Sequence, residues 1–341
     1  MKNVIHLCLL DKFIPPFIKF IRDHNNFNNQ FFITFGELDD FNYAKGDDAK
    51  HIKSFSSELL FLIKHLNAAD KIILHGLFDI RVIYILLLQP WLLRKCYWII
   101  WGGDLYYKLV PKNKKKKIAE LMRYFVIHNI GFIVALMRGE YELAREWYKT
   151  KAKHVPCFVY TSNLYVEQLH QPAVHKKSFL TVLVGNSADS SNKHEEIFEL
   201  IKGIENIKVV VPLSYGNKDN ANYIIEAGKR LLGENFIPLT KFMPIEEYTD
   251  LLNSIDVAIF NHDRQQAVGN IVTLLSLGKK VYLRENTSHY NYFKENGIKV
   301  FPVHDINMEL LSDSQVKHNK KILKEIFSEQ SLINSLENFL S

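Results

Sequence analysis

Residues 179–201, FLTVLVGNSADSSNKHEEIFELI, contain the pattern that decides the fold. A short apolar run ends at Val184, a polar loop opens on Gly185, and an amphipathic segment begins at His194. Continuous apolar runs of this length are typical of parallel strands, which are buried on both faces of their sheet. The segment therefore predicts one strand–loop–helix unit of an α/β fold.

The same unit recurs on both sides of this segment. In the first half of the chain, β-rich apolar runs predict strands at 3–10, 30–34, 71–75, 97–101, 131–136 and 154–156. In the second half, they predict strands at 179–184, 207–212, 236–238, 257–261, 280–283 and 299–301. Amphipathic segments between them predict helices, one of them over 51–66. The pattern thus predicts an α/β chain of two Rossmann-like doubly wound units. Such units bind ligands at the carboxyl ends of their strands.

The weakly periodic stretch 160–177 separates the two patterns and predicts an interdomain connection. We expect an N-terminal domain over 1–165 and a C-terminal domain over 178–315. The tail, 316–341, is predicted to be helical and to pack back on the first domain. With two such domains facing one another, the natural ligand site is the cleft between them.

The formal charge of +6 is concentrated in one segment. Residues 90–123 hold nine basic residues against two acidic ones, so this segment carries +7 and the remainder about −1. A local excess argues against a general nucleic-acid coat and favours contact with one anionic partner. An apolar fraction of 47% with 23% charged residues excludes a disordered chain.

Cysteines and apolar runs bear on the cellular setting. Cys8, Cys96 and Cys157 are far apart and lack metal-binding spacing, which predicts buried thiols in a reducing compartment. The apolar run 4–10 fits a first strand better than a signal peptide. No run of eighteen apolar residues occurs, so any membrane association is expected to be peripheral.

Polar loops that follow predicted strands carry the candidate binding residues of the second half. A glycine permits close backbone approach, an arginine can fork two hydrogen bonds to a phosphate, and a helix N-terminus favours an anion. Ser191 or Asn192 is expected to cap the helix after the first loop. These loops predict a diphosphate clamp, with plain polar turns as the alternative. The candidates are Gly185, Asn186, Ser187, Ser214, Tyr215, Asn261, His262, Arg264, Gln265, Gln266, Gly269 and Asn270.

In the first half, a buried strand ends in Trp101-Gly102-Gly103-Asp104. Asp104 is our candidate for a general base that acts on, or positions, an acceptor hydroxyl. The alternative is a helix-capping or turn aspartate. His75, also at a strand end, is a second catalytic candidate, although a buried and hydrogen-bonded histidine is the more frequent arrangement. Trp101, Gly102 and Gly103 are expected to contact an acceptor.

No metal or cofactor is expected. The chain has no pair of aspartates spaced D-x-D and no cluster of His, Cys and Asp with metal-ligand spacing. We therefore expect Arg264, helix dipoles and backbone amides to stabilise a leaving diphosphate.

The basic segment interleaves cations with aromatic side chains near the Trp101 loop. This mixture suits an anionic membrane surface or a lipid pyrophosphate. A solvated lysine-rich loop is the alternative. The candidate membrane contacts are Trp91, Arg94, Lys95, Lys114, Lys115, Lys116 and Lys117.

At these motifs the sequence resembles a known family. Four blocks resemble those of the enterobacterial-common-antigen 4-acetamido-4,6-dideoxygalactose transferases, glycosyltransferase family 56. They are Gly185–His194, Pro212–Gly216, Phe260–Asn270 and Trp101–Tyr106. The resemblance implies two Rossmann-like domains of the GT-B type. The C-terminal domain would then bind the nucleotide-sugar, and the N-terminal domain would lie on the acceptor and membrane side.

The resemblance also implies a donor, an acceptor and a location. The donor would be a dTDP-sugar, the acceptor an undecaprenyl-pyrophosphate-linked glycan, and the location the cytoplasmic face of the bacterial inner membrane, with no nucleic acid bound. Two other functions fit the residues: a nucleotide-sugar epimerase of the same fold, and a non-catalytic protein that binds anionic membrane or RNA.

Overall fold

The computed structural model describes residues 3–110, 113–167 and 178–340. These residues form two compact units. Unit 1 comprises Met1–Ser162 together with Glu329–Ser341, and unit 2 comprises Asn163–Ser328.

Unit 1 contains one sheet of seven strands, every pair of which is parallel. Its strands are β1 (Val4–Leu9), β2 (Gln30–Phe35), β3 (Ala49–His51), β4 (Lys71–His75), β5 (Cys96–Ile99), β6 (Phe132–Val134) and β7 (Lys153–Val155). They lie in the order β3-β2-β1-β4-β5-β6-β7. The direction of winding therefore reverses between β1 and β4, and ligand sites of such sheets lie at this reversal.

Helices cover the sheet of unit 1. They are α1 (Ile14–Asp23), α2 (Leu59–Ala68), α3 (Ile80–Leu88), α4 (Gly103–Tyr106), α5 (Lys114–Asn129) and α6 (Arg138–Tyr148). Two prolines in the first turn of α1 start that helix without losing a hydrogen bond. The core between helices and sheet holds the fully buried ring of Trp98 with Ile72, Leu74 and Ile133.

Unit 2 repeats this architecture with six parallel strands. The strands are β8 (Leu180–Val184), β9 (Ile207–Pro212), β10 (Phe236–Leu239), β11 (Val257–Phe260), β12 (Lys280–Leu283) and β13 (Phe301–Pro302), in the order β10-β9-β8-β11-β12-β13. The helices are α7 (His194–Ile201), α8 (Lys218–Leu232), α9 (Ile245–Ser254), α10 (Val268–Ser276), α11 (Ser288–Glu295) and α12 (Asp313–Ile326). The reversal of winding here lies between β8 and β11.

The last two helices belong to different units. α12 packs against α10 of unit 2, whereas α13 (Glu329–Leu340) groups with unit 1. The ammonium of buried Lys71 donates to the Phe339 carbonyl at 2.8 Å, and the Phe339 ring lies near that of Tyr97. The predicted return of the whole tail 316–341 to the first domain is therefore replaced by a return of its final helix alone.

The helix predicted over 51–66 begins later than expected. Residues Ala49–His51 form the edge strand β3, and the Ile52 amide continues that pairing by donating to the Thr34 carbonyl at 2.8 Å. The Ser57 hydroxyl then bonds to the Ser54 carbonyl. Such local side-chain bonds compete with helix formation, so α2 starts only at Leu59.

Candidate functional site

Side-chain hydrogen bonds join three loops of unit 2, which follow β8, β9 and β11. The Gln266 amide donates to the Asn186 side-chain oxygen at 3.0 Å, and the Asn186 amide donates to the Tyr215 hydroxyl at 2.9 Å. The Ser191 hydroxyl donates to Gln266 Oε1 at 2.8 Å. The structure thus brings together residues from all three loops selected from the sequence, and we name Asn186, Tyr215 and Gln266 the loop triad.

Asn192 fixes the shape of the loop after β8. Its buried side-chain oxygen accepts from the backbone amide of Asn186 and from His262 Nε2, both at 2.9 Å. Its side-chain nitrogen donates to the Ser187 hydroxyl at 3.2 Å. Burial holds the pKa of His262 well below its usual range. Because an amide oxygen only accepts, His262 is the neutral tautomer with its proton on Nε2. α7 has Lys193 at its N-cap position and no side-chain cap, so the prediction that Ser191 or Asn192 caps this helix is wrong. Asn192 instead links the loops that follow β8 and β11.

Gly185 and Asn261 also stabilise the arrangement of these loops. Gly185 has φ +69°, and a Cβ there would lie 2.6 Å from His194 Nε2 and 2.7 Å from Asn192 Oδ1. The close approach that this glycine permits is therefore to the protein's own side chains. Buried Asn261 donates to Glu196 Oε2 at 2.8 Å and so ties the β11 loop to α7.

A cation and a helix N-terminus lie in the same loop system. Arg264 Nη2 lies 3.6 Å from Asp189 Oδ2, which links the β11 loop to the β8 loop. α10 begins after Ala267, which has φ +59° and offers no capping side chain. Gly269 and Asn270 lie in the first turn of α10, and the Asn270 amide donates to the Tyr248 hydroxyl at 2.8 Å. Backbone amides at a helix N-terminus beside an arginine suit a phosphate group.

The remaining two candidates of unit 2 have less defined surroundings. Ser214, after β9, and Gln265, before α10, are both half-buried. Each lies next in sequence to a member of the loop triad.

In unit 1, Asp104 is 1% exposed and is surrounded by hydrogen-bond donors. Its Oδ2 accepts from the Leu77 amide at 3.0 Å and Trp98 Nε1 at 2.7 Å, and its Oδ1 accepts from the Trp101 and Leu105 amides, both at 3.0 Å. Burial raises the pKa of this carboxyl. Four bonds occupy the lone pairs that a base would need for a substrate proton. We therefore replace the hypothesis that Asp104 is a general base with a positioning role, in which its carboxylate holds the backbone around Trp101 in place.

His75 lies in a directional chain of hydrogen bonds. Trp101 Nε1 donates to the Tyr160 hydroxyl at 2.6 Å, Tyr160 faces His75 Nδ1 at 2.7 Å, His75 Nε2 faces His6 Nδ1 at 3.0 Å, and His6 Nε2 faces Gln30 Oε1 at 2.8 Å. Since an indole only donates and an amide oxygen only accepts, each histidine carries one proton, on Nε2.

Burial keeps this chain neutral. It lowers the pKa of His6 to about 4 and holds that of His75 well below its usual range. The catalytic hypothesis for His75 gives way, on this geometry, to a role in orienting Tyr160 and Trp101.

The predicted acceptor loop is shaped by two glycines. Gly102 has φ +87°, and a Cβ on Gly103 would lie 3.3 Å from the Phe78 ring. Trp101, half-buried, has its ring 5.9 Å from that of Phe78 and 5.6 Å from that of Phe13, both edge-on. Trp101 is thus an aromatic surface held in one orientation by the rings of Phe78 and Phe13 and by the hydrogen bond to Tyr160.

The residues that sequence reasoning missed are the buried ones that hold others in place. Tyr160 lies in the predicted connection and His6 in a predicted strand, and neither position indicates a long-range partner. Only the strand pairing of β1 with β4 places His6 beside His75. No local pattern carries that signal.

Within 3–110, 113–167 and 178–340, no group of three or more His, Cys, Asp or Glu side chains is arranged to hold a metal ion. In the same ranges, no helix combines the length and apolar character needed to cross a bilayer.

The fold is shared with solved glycosyltransferases at low sequence identity. Sucrose-phosphate synthase from Thermosynechococcus elongatus matches with a TM-score of 0.68 and 12% identity over 99% of this chain and 98% of that one. Anabaena HepE, solved in complex with UDP, matches with a TM-score of 0.67 and 11% identity over 99% of each chain. A UDP-forming trehalose-phosphate synthase from Burkholderia vietnamiensis matches with 0.65 and 9% identity, again over 99% of each. These similarities define the class as the GT-B fold.

The family follows from the sequence. The family model described as 4-alpha-L-fucosyltransferase, glycosyl transferase group 56, matches residues 41–334. Because this match spans most of the chain, the protein belongs to glycosyl transferase group 56. It is therefore a nucleotide-sugar-dependent glycosyltransferase with the GT-B fold, and both the predicted fold class and the family resemblance are confirmed.

Proposed function

We propose that the donor's nucleotide diphosphate binds to the three joined loops of unit 2. The observation that carries this proposal is the loop triad, held beside Arg264 and the N-terminus of α10. The guanidinium and the first-turn amides of Val268, Gly269 and Asn270 would bind the diphosphate. Tyr215, half-exposed, would contact the ribose or base.

We further propose that the donor is dTDP-4-acetamido-4,6-dideoxy-D-galactose and the acceptor an undecaprenyl-pyrophosphate-linked saccharide. The family resemblance supports this donor. Fucose, named in the family's description, is likewise a 6-deoxygalactose. In the transfer, the acceptor hydroxyl oxygen bonds to the anomeric carbon, the bond from that carbon to the β-phosphate oxygen breaks, the diphosphate leaves with the electron pair, and the hydroxyl proton is released. Arg264 and the α10 amides would stabilise the developing diphosphate charge.

Unit 1 would take the acceptor and face the membrane. Trp101, with Gly102 and Gly103 beside it, offers an oriented ring for the acceptor. Trp91, Arg94 and Lys114–Lys117 are exposed and suit the anionic cytoplasmic face of the inner membrane. Lys95 is a weaker candidate, because its ammonium donates to the Asn67 carbonyl at 3.0 Å.

A transfer assay tests this function and separates it from the epimerase alternative. The purified protein is incubated with the dTDP-sugar, with and without an undecaprenyl-pyrophosphate-linked disaccharide. We expect a lipid-linked product one sugar longer and release of dTDP, both dependent on the acceptor. An isomerised dTDP-sugar formed without acceptor would instead establish the epimerase, and transfer at equal rates from UDP- and GDP-linked analogues would contradict the donor assignment.

A further inference from the structure

The helix α5 of unit 1 buries a charged pair and exposes several apolar side chains. Its buried side carries the charged pair Glu120 and Arg123, whose charged atoms lie 3.6 Å apart, together with Val126 and Ile127. Its exposed side carries Ile118, Leu121 and Phe125, with Leu121 70% exposed. A helix on the surface of a soluble protein normally turns its apolar stripe to the core. The exposed stripe of α5 therefore indicates a partner outside unit 1.

The neighbouring helix α3 extends this stripe. α3 packs against α5, and its residues Tyr84 and Leu88, one turn apart, are exposed. We name the five side chains Tyr84, Leu88, Ile118, Leu121 and Phe125 the α3–α5 ridge. Two helices that pack together thus both expose large apolar side chains, which is more than the scattered single leucines usual on a protein surface and indicates an interaction site.

The charge beside the ridge identifies the kind of partner. Four exposed lysines, Lys114–Lys117, occupy the first turn of α5, directly before Ile118. The N-terminus of a helix is already positive, so cations there disfavour the helix. The Asn113 side chain, which accepts from the Lys116 amide at 3.0 Å, caps this end without adding a negative charge. A polyanionic surface next to this turn would reverse the unfavourable charge.

We propose that the α3–α5 ridge inserts into the interface of an anionic lipid bilayer, with α5 lying in the membrane plane and Lys114–Lys117 contacting headgroup phosphates. A helix with an apolar face and flanking lysines binds membranes in this way, and each cation near an anionic surface adds to the binding. This proposal rests on the proposed function, because an acceptor that is linked to a lipid lies at a membrane surface.

Vesicle flotation tests this proposal. The wild-type protein is mixed with vesicles of phosphatidylglycerol and phosphatidylcholine, or of phosphatidylcholine alone. We expect flotation with the anionic vesicles only, and at least a tenfold loss of bound fraction in the double variant L121Q/F125Q. The matched control is L200Q/L310Q, which removes two leucines of similar exposure from unit 2 and should float like the wild type. Replacing all four lysines with glutamine should weaken binding and remove its dependence on salt.

Several outcomes would overturn the proposal. Equal flotation of the ridge variant and the control would do so, as would binding to neutral vesicles alone. A wild-type dimer that L121Q/F125Q converts to a monomer, without vesicle binding, would assign the ridge to a second copy of the chain. Binding of dTDP, measured on the same variants, is expected to be unchanged. If vesicles bind but neither dTDP binding nor transfer occurs, the proposed function fails and the docking surface stands.

Discussion

Replacing Asp104 with alanine is expected to lower the free energy of unfolding of unit 1 by about 3–5 kcal/mol, because it leaves buried donors without an acceptor. The orphaned groups are Trp98 Nε1 and the amides of Leu77, Trp101 and Leu105. The nearby Arg123, which also donates to the Leu77 and Asp104 carbonyls, would lose the attraction of the Asp104 carboxylate and keep that of Glu120.

The measurement is urea unfolding followed by tryptophan fluorescence. All four tryptophans of the chain, Trp91, Trp98, Trp101 and Trp147, lie in unit 1, so the signal reports this unit alone. The control is D23N, because Asp23 is an exposed carboxylate that pairs with Lys19 in the same helix. Its free energy of unfolding should lie within about 0.5 kcal/mol of the wild-type value. If D104N kept wild-type stability while transfer was abolished, the positioning role would be wrong and a catalytic role restored.

Acidification below pH 6.5 is expected to destabilise both units steeply. Five buried histidines have pKa values lowered by burial: His6 and His75 in unit 1, and His194, His262 and His289 in unit 2. The pKa is about 4 for His194 and about 3 for His289. Both ring nitrogens of His194 and His289, and Nδ1 of His262, have no hydrogen-bond partner among the described residues.

The direction follows from proton linkage. Each folded pKa lies below the unfolded value near 6.5, so the unfolded chain takes up protons first as the pH falls. The stabilising contribution is complete above pH 6.5 and is lost as the pH falls towards the folded pKa. Each histidine lowers the free energy of unfolding by up to about 1.4 kcal/mol for each pH unit. The three in unit 2 together lower it by up to about 4 kcal/mol for each pH unit. Asp104 and Asp11, whose pKa values are raised by burial, act in the opposite sense, but they are two carboxyls against five histidines.

Chemical unfolding at pH 7, 6 and 5, followed by circular dichroism, checks this expectation. H289F replaces an unpaired buried imidazole with an apolar ring, and it should flatten the pH dependence by about 1.4 kcal/mol per unit below pH 6. H318Q, at an exposed position of α12, serves as the control and should leave the slope unchanged. An identical slope in the wild type and H289F would show that His289 does not remain neutral in the folded protein.

The fold was largely readable from the sequence because apolar strands and amphipathic helices leave local patterns. The predicted strands at 71–75 and 207–212 coincide with β4 and β9. Where local side chains compete with the helix, as at Ser54 and Ser57, the prediction was wrong. The four-residue helix α4 was also not predicted, since it forms around the buried carboxylate of Asp104.

The candidate site was predictable in position but not in role. Polar loops after β8, β9 and β11 were identifiable because a polar, glycine-containing strand end is visible in the sequence. Some of these residues hold the loops in place, and others remain available to bind a ligand. Which do which depends on hydrogen bonds between residues about 30 to 80 positions apart, such as Asn192 with His262 and Asn186 with Gln266. Burial likewise decides that Asp104 and His75 position other groups.

Calorimetric titration of the protein with dTDP tests the central claim most directly, namely that the joined loops of unit 2 hold the donor diphosphate. We predict saturable binding that weakens at least tenfold in R264Q, about 1.4 kcal/mol, since a hydrogen bond to a charged phosphate is lost. R230Q removes an exposed arginine of the same unit that pairs with Glu195, and it should bind dTDP like the wild type. Equal affinity in R264Q and R230Q, or no binding of dTDP to the wild-type protein, would contradict the account.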